Sequence, residues 1–293
     1  MSGLGPGDAR ILDRGYRRYQ GERSGVPGAI RSVVLHSLQR GLGLRRNLWA
    51  KALPFSAVLI AYLPAVVFVG VVALFPAEDV PTDFLPSYGD YYGFVIAAIM
   101  VFVALGAPEV LCTDRRSGML GVYLSSPLNR DTYLVAKALA IAAMLSLVCL
   151  GPPLLMLVAN VLQSQGPTGY GDIALTFVRV LAAGIALTLL YTGVTMGVAS
   201  LTDRKSVAAA SIILLFLVSI AVTGILTSTG GADTSRVWSV TMLSLDLARR
   251  IHGDRSTVLR HTSSVVVWAA WFMWTAGGFA LARFNLRRLP VTR

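Results

Sequence analysis

Long apolar runs alternate with short polar segments along most of the chain after residue 51. A bilayer core about 30 Å thick needs roughly 20 apolar residues in each helix that crosses it. Runs such as AAIMVFVALGAPEVL and AAASIILLFLVSIAVTGIL are continuously apolar, whereas the strands of membrane barrels alternate between apolar and polar positions. The pattern therefore predicts six transmembrane helices, at 52–75, 93–112, 134–162, 173–201, 207–229 and 263–282.

Composition supports the same class. Hydrophobic residues make up 55% of the chain and charged residues only 14%, and the mean hydropathy is +0.65, which lies far outside the range of soluble domains. We expect an all-α membrane protein in four parts. These are an N-terminal arm at 1–27, an amphipathic interfacial helix at 28–50, a six-helix transmembrane domain at 51–283 and a tail at 284–293.

The distribution of basic residues predicts the orientation, because Arg and Lys concentrate in cytoplasmic segments. Ten of them precede the first predicted crossing, whereas the outer segment PAEDVPTDFLPSYGDYY has four acids and no base. We therefore expect a multi-pass protein of the cell membrane with both termini in the cytoplasm. One outer segment, 230–261, departs from the rule because it carries five arginines.

The net charge of +11 has the same origin, since 20 of the 26 basic residues flank predicted membrane helices. Their expected partners are lipid headgroups, and no recognition motif points to nucleic acid. The three histidines do not have metal-ligand spacing, and Cys112 and Cys149 are predicted to be packing residues. No metal site is expected.

Residues 28–46 form an amphipathic pattern. At 100° per residue, five apolar side chains fall on one arc: Ile30, Val34, Leu35, Leu38 and Leu42. This arc predicts a helix that lies flat on the inner leaflet before the first crossing. A cytoplasmic helix packed on a partner is the alternative interpretation.

A charged block, EVLCTDRRSGMLGVYLSSPLNRDTYLVAK, separates the second and third crossings. RRSGMLGVYL can form a short amphipathic helix, Pro127 would end it, and Asn129 or Asp131 can cap the next crossing. Such a helix would suit docking, although an ordinary solvated loop is also compatible with the charge cluster.

The order of residues in this block resembles the permease subunits of ABC-2 type transporters. A Glu closes the second crossing, Arg, Ser-Gly and Leu follow, and a Leu then precedes Ser-Ser-Pro-Leu, an Arg and a Lys. The resemblance implies an ABC-2 exporter fold and a coupling helix within 113–131 that docks on a separate ATPase subunit. It assigns the following residues to that contact and its support: Glu109, Asp114, Arg115, Arg116, Ser117, Gly118, Leu120, Leu124, Pro127 and Arg130. The family's Glu or Thr after Ser-Gly is replaced here by Met119 and Leu120.

Two further regions carry candidate residues. The turn SLTDRKSVA offers Asp203, Arg204 and Lys205 as a second ATPase contact, with membrane anchoring by positive charge as the alternative. The segment after the fifth crossing contains a predicted helix at 237–251, and in ABC-2 permeases this region is often re-entrant. Arg179, Arg249 and Arg250 are candidates for the cargo path, although contact with lipid headgroups explains them equally well.

The chain has no G-x-x-x-x-G-K-[ST] loop to bind nucleotide phosphates, so ATP and Mg²⁺ are expected on the partner ATPase and no cofactor on this chain. We expect a non-enzymatic permease subunit that pairs with a second permease chain. Short outer loops favour export, and the expected cargo is an amphipathic or hydrophobic small molecule, such as a drug or natural product, or a lipid. The alternatives are an ion- or proton-coupled secondary transporter and a membrane anchor for a soluble enzyme.

Overall fold

The computed structural model describes residues 21, 25–44, 48–74, 86–164, 166–167, 169–229, 233–254 and 259–288. Ten α-helices and one short 3-10 helix account for most of these residues, and no strand occurs among them. The helices are α1 (Gly25–Gly41), α2 (Leu48–Leu74), α3 (Tyr88–Arg116), α4 (Leu120–Leu124), α5 (Arg130–Cys149), α6 (Gly151–Leu162), α7 (Tyr170–Ala199), α8 (Lys205–Ser228), α9 (Val240–His252) and α10 (Ser264–Arg288). The predicted N-terminal arm lies almost entirely outside the described residues, as do the last five residues of the tail.

In the described part of the chain, six helical segments are long and apolar enough to cross a membrane. They are Pro54–Leu74, Tyr88–Arg116, Arg130–Leu162, Tyr170–Ala199, Lys205–Ser228 and Ser264–Arg288. The predicted fold class, an all-α membrane protein with six transmembrane helices, is confirmed. We refer below to the end of the bundle that carries α4 as the α4 end, and to the other as the opposite end.

The third span is interrupted between α5 and α6, at Leu150. Pro152 and Pro153 have no N–H, so they cannot donate to the carbonyls of the preceding turn. Tyrosines from two other helices bind carbonyls at this point: Tyr92 Oη donates to Cys149 O at 2.8 Å, and Tyr62 Oη donates to Leu147 O at 3.1 Å. The helix therefore breaks beside the two prolines, and tyrosines of neighbouring helices bind two carbonyls at the break, in keeping with the need to satisfy backbone groups inside a membrane.

Helix α1 is packed against the bundle. Val33 is buried with Ala136 of α5, Ser37 binds Lys137 of α5, and Leu38 and Leu42 pack on the main core. Most of the predicted apolar arc is thus covered by protein of the same chain, while Leu35 on that arc is exposed.

The segment between the fifth and sixth spans folds back among the membrane helices. A 3-10 helix at Asp233–Trp238 leads into α9, which begins after the N-cap Ser239 and ends at Gly253 in the left-handed conformation. Tyr191, well inside α7, lies 2.8 Å (Oη to Oγ) from Ser244 of α9. The helix predicted at 237–251 is therefore present with a start three residues later, at Val240, and it packs against α7. Its re-entry into the membrane stays a prediction.

Candidate functional site

The charged block after the second span forms a compact turn at the α4 end. Helix α3 runs on to Arg116, Gly118 reverses the chain with φ +69°, and α4 follows at Leu120–Leu124. Asn129 then caps α5, because its Oδ1 accepts from the Thr132 N–H at 2.7 Å and its own N–H donates to Thr132 Oγ1 at 2.8 Å. Of the two predicted caps, Asn129 fills this role. The sequence thus places a five-residue helix at the tip of the loop.

The ten candidate residues of this block divide by burial. Exposed are Arg116, Ser117, Gly118 and Pro127; partly buried are Arg115, Leu124 and Arg130; buried are Glu109, Asp114 and Leu120. A docking partner can reach the first group, whereas the buried group can act only by holding the loop in place. Val122, which is 61% exposed on α4, was not among the predicted site residues. The i, i+3 spacing of Leu120 and Tyr123, which pack inward, is the signal that places Val122 on the other face of the helix.

Asp114 lies at the centre of a buried ion cluster. Its carboxylate is 2.5 Å from Arg40 Nη1 of α1 and 2.5 Å from Lys137 Nζ of α5. Tyr133 Oη donates to the same carboxylate at 3.2 Å, and Lys137 Nζ donates to Ser37 Oγ at 2.8 Å. A charge this deeply buried is costly without such partners. The cluster therefore fixes α1, α3 and α5 to one another directly behind α4.

Lys137 also connects this cluster to α4. Its Nζ lies 5.4 Å from the ring centroids of both Tyr123 and Tyr133, within the range of cation–π attraction. Burial raises the pKa of Tyr123, and the charge of Asp114 raises it further, so this phenol stays neutral. Lys137 was not among the predicted site residues, although a lysine inside an apolar run was a visible signal.

Arg115 joins the block to the turn between α7 and α8. Its Nη1 donates to the carbonyl oxygens of Ser200 and, at 3.2 Å, of Thr202. Lys205 Nζ lies 3.3 Å from Glu109 Oε2 across the same junction. The structure therefore brings together two regions that the sequence analysis identified separately. In that turn Arg204 and Lys205 are exposed and Asp203 is partly buried.

The end of α10 completes this assembly. Leu286 packs with Leu120 and Tyr133, and Asn285 Nδ2 donates to Ser200 Oγ at 2.9 Å. Arg130 Nη1 donates to the Arg287 carbonyl. Four helices (α1, α3, α5 and α10) and the α7–α8 turn thus converge on the loop that carries α4.

The three arginines proposed for a cargo path lie at the opposite end, and each is bonded within the chain. Arg179 donates to the His252 carbonyl at 3.0 Å, at the C-terminus of α9. Arg249 pairs with Asp90 at 2.8 Å and Arg250 with the buried Asp246 at 2.5 Å. Arg179 and Arg249 therefore hold α9 against α7 and α3, whereas the pair of Arg250 with Asp246 lies within α9. The role of the three arginines toward cargo stays a prediction.

A sequence model of the ABC-2 family transporter proteins matches residues 73–245, which include α3, the α4 block, the α7–α8 turn and the start of α9. The chain belongs to the ABC-2 transporter family. It is accordingly a multi-pass membrane component of an ABC transporter, of the permease type, and this family works with an ABC ATPase subunit. Comparison with curated proteins finds no match.

Proposed function

We propose that this ABC-2 permease exports an amphipathic or hydrophobic compound, driven by ATP that a separate subunit binds with Mg²⁺ and hydrolyses. The ATPase docks on the exposed surface of the α4 block, formed by Arg116, Ser117, Val122 and Pro127. In this proposal the α4 end and both termini face the cytoplasm of the cell membrane.

The main support for this docking site is the network of ion pairs and hydrogen bonds behind α4. A docking surface transmits motion only if the elements behind it move with it, and Asp114 and Arg115 join the α4 block to α1, α5 and the α7–α8 turn. A solvated loop needs no such buried charges, since burying them is costly. This bonding favours a mechanical role for the loop over the simple loop considered at the outset.

A cavity supports the proposed cargo class. It measures about 310 Å³, lies at the α4 end between α1, α2, α3 and α8, and is walled mainly by apolar groups such as Pro54, Leu105 and Pro108. Arg40, Glu109 and Lys205 line it as well. An apolar chamber with a few charged groups suits a molecule with an apolar body and a polar head.

We also propose that two permease chains form the working unit, because a route for cargo needs walls on all sides and six helices provide one half of them. Among the spans, α8 is the least buried within the chain, at 17% of its apolar window. Its exposed face, which includes Leu214, Leu217 and Ile225, is available for lipid or for a second chain. Mass photometry of the purified transporter distinguishes one permease chain from two.

Co-purification tests the docking site. The tagged chain is isolated from native membranes and associated proteins are identified by mass spectrometry, for the parent and for Arg116→Glu/Val122→Asp. Both changes are on exposed side chains, so the bundle should remain intact. Tyr170→Asp, at a residue 94% exposed at the start of α7, is the matched control at the opposite end.

We expect an ABC ATPase to accompany the parent and the control and to be lost from the double variant. Retention of the ATPase by the double variant would show that it docks elsewhere. If no ATPase accompanies the parent, and transport in vesicles responds to a proton gradient instead of ATP, the ATP-driven mechanism is incorrect and a secondary transporter replaces it.

A further inference from the structure

A shallow apolar groove runs along the outside of the bundle between α5, α7 and α10. It encloses about 440 Å³ and is lined by side chains such as Leu134, Leu139, Leu189 and Phe279. The lining extends from Leu134 to Ala142 of α5, about 12 Å at 1.5 Å per residue. That length covers most of one leaflet of a hydrocarbon core about 30 Å thick.

The groove ends in a cluster of positive charge. Arg283 lines its last part, and Arg283 and Arg287 both bind Asp131, with nitrogen to oxygen distances of 2.8 and 2.9 Å. Arg288 follows, with its guanidinium 3.9 Å from the centroid of the Phe284 ring. Arg130, at the start of α5, donates to the Arg287 carbonyl. Two of these four arginines bind the one aspartate, and the five side chains together carry a formal charge of +3.

The cluster remains accessible despite its ion pairs. The side chains of Arg283 and Arg287 are 54% and 55% exposed, and that of Asp131 is 44% exposed. A carboxylate shared by two guanidinium groups leaves several of their N–H donors directed away from it. Guanidinium donors of this kind bind phosphate oxygens in a bidentate manner.

We propose that this groove and its arginines form a binding site for an anionic glycerophospholipid. One acyl chain lies along the groove against Leu134, Leu139 and Phe279, and the phosphate with its anionic headgroup binds Arg283 and Arg287. The apolar groove matches the acyl chain of this lipid, and the cationic end of the groove matches its anionic headgroup. A zwitterionic lipid carries a positive group that offsets its own phosphate charge, so the arginines attract it less strongly. The site is independent of the proposed transport cycle.

The lipid would join two elements that meet at this point. Asp131 belongs to the first turn of α5, directly after the α4 block, and Arg283 and Arg287 belong to the end of α10. A phosphate bound to the arginines adds negative charge to that of Asp131, so more of the positive charge of the cluster is neutralised. The acyl chain packs against both helices. The α4 end is therefore more stable in the presence of anionic lipid.

Native mass spectrometry tests the site on the full chain purified in detergent. An equimolar mixture of phosphatidylglycerol and phosphatidylcholine with identical acyl chains is added, and the retained lipids are counted. We expect the parent to retain phosphatidylglycerol preferentially. In Arg283→Gln/Arg287→Gln the affinity for phosphatidylglycerol should fall about 25-fold, at roughly fivefold for each basic side chain near a membrane surface.

Two further variants separate lipid binding from the ion pairs themselves. Asp131→Asn breaks the same ion pairs but leaves the arginines, so binding should be kept or strengthened. Leu139→Trp fills the groove at a residue that is 50% exposed, so retention of both lipids should fall while the charges stay intact. Arg31→Gln, at an exposed arginine of α1, is the control and should retain phosphatidylglycerol like the parent.

Equal retention of the two lipids by the parent would overturn the proposal. Equal loss in Asp131→Asn and in the double arginine variant would also overturn it, because the arginines would then act only through their ion pairs. If Leu139→Trp retained both lipids like the parent, the acyl chain would not lie in the groove and the proposed site would be wrong.

Discussion

Asp114 and Lys137 form an ion pair of 2.5 Å in which the lysine side chain is 1% exposed and the aspartate side chain is fully buried. The pair joins the last turns of one span to the first turns of the next, behind the helix proposed to meet the ATPase. Removing one partner of a buried ion pair lowers stability far more than replacing both partners by apolar residues, because the remaining buried charge is left without an opposite charge.

Asp114→Ala should therefore destabilise the protein by about 3 to 5 kcal/mol. The double change Asp114→Ala/Lys137→Met should recover much of that loss, since it removes the lysine whose charge would be buried without its carboxylate. Thermal unfolding in detergent, followed by the fluorescence of the tryptophans, measures both. Asp172→Asn, at an exposed residue in the first turn of α7, is the control and should unfold like the parent. A double variant no more stable than Asp114→Ala would contradict this reasoning.

Substitutions of the neighbours Arg115 and Arg116 should have different effects, the first on stability and the second on ATPase binding. Arg115→Ala removes hydrogen bonds to the α7–α8 turn, so it should lower stability by about 1.5 to 3 kcal/mol for bonds made by a charged donor. Arg116 is exposed, so Arg116→Ala should stay within about 0.5 kcal/mol of the parent and instead weaken ATPase association. Unfolding and co-purification are compared for the two variants. Equal loss of stability would show that Arg116 is as much a structural residue as Arg115.

Much of the fold could be predicted because transmembrane helices depend on local composition. The six apolar runs and the break at Pro152 and Pro153 follow from lipid solvation and from the missing proline N–H. The packing of α1 could not be predicted in this way, because an amphipathic arc covered by α5 has the same periodicity as one covered by lipid. The choice depends on tertiary partners such as Ala136, which a single sequence does not identify.

The site shows the same division. The sequence located the α4 block, but it could not separate Arg116, which is exposed, from Asp114, which is buried. The environment of Asp114 is set by Arg40 and Lys137, which lie 74 and 23 residues away from it along the chain. The bonds from Arg115 to the α7–α8 turn are equally long-range, so two candidate regions appeared independent when they form one assembly.

The stability of the protein should depend on pH through His252, which lies at the opposite end of the bundle. Burial lowers its pKa, with a smaller opposing effect from the hydrogen bond between Nδ1 and the Ala248 carbonyl. Its Nε2 is buried and has no hydrogen-bond partner in the described part of the chain. Because the pKa is lower in the folded state, the unfolded chain binds the proton first. The stability is therefore complete above about pH 6.5, the ordinary value, and is lost as the pH falls through the folded-state pKa.

The melting temperature of the parent should consequently decrease between about pH 7.5 and about pH 5, and His252→Gln should show a smaller decrease. For each protein, the quantity compared is the change in melting temperature between the two pH values. Any pH-independent effect of losing the stacking contact with Tyr88 therefore cancels. Identical decreases in the two proteins would assign the acid sensitivity to other groups.

Gly278 of α10 lies against the backbone of α7, and its neighbour Gly277 provides a matched control. A Cβ atom at position 278 would meet the Gly193 carbonyl oxygen at 2.1 Å, whereas one at position 277 would meet nothing within 4 Å. Small residues allow membrane helices to approach this closely, and backbone atoms cannot move aside as a flexible side chain can. Gly278→Ala should therefore cost at least the roughly 1 to 3 kcal/mol typical of overpacking.

Gly277→Ala should be neutral or stabilising by up to about 1 kcal/mol, because alanine has the higher helix propensity. Both variants add one methyl group to the same turn of the same helix, so a difference in their unfolding temperatures reports the contact with α7 alone. A similar loss in both would mean that the helix tolerates no added volume on either side. A neutral effect in both would mean that α7 and α10 are farther apart in the membrane than their glycine contact indicates.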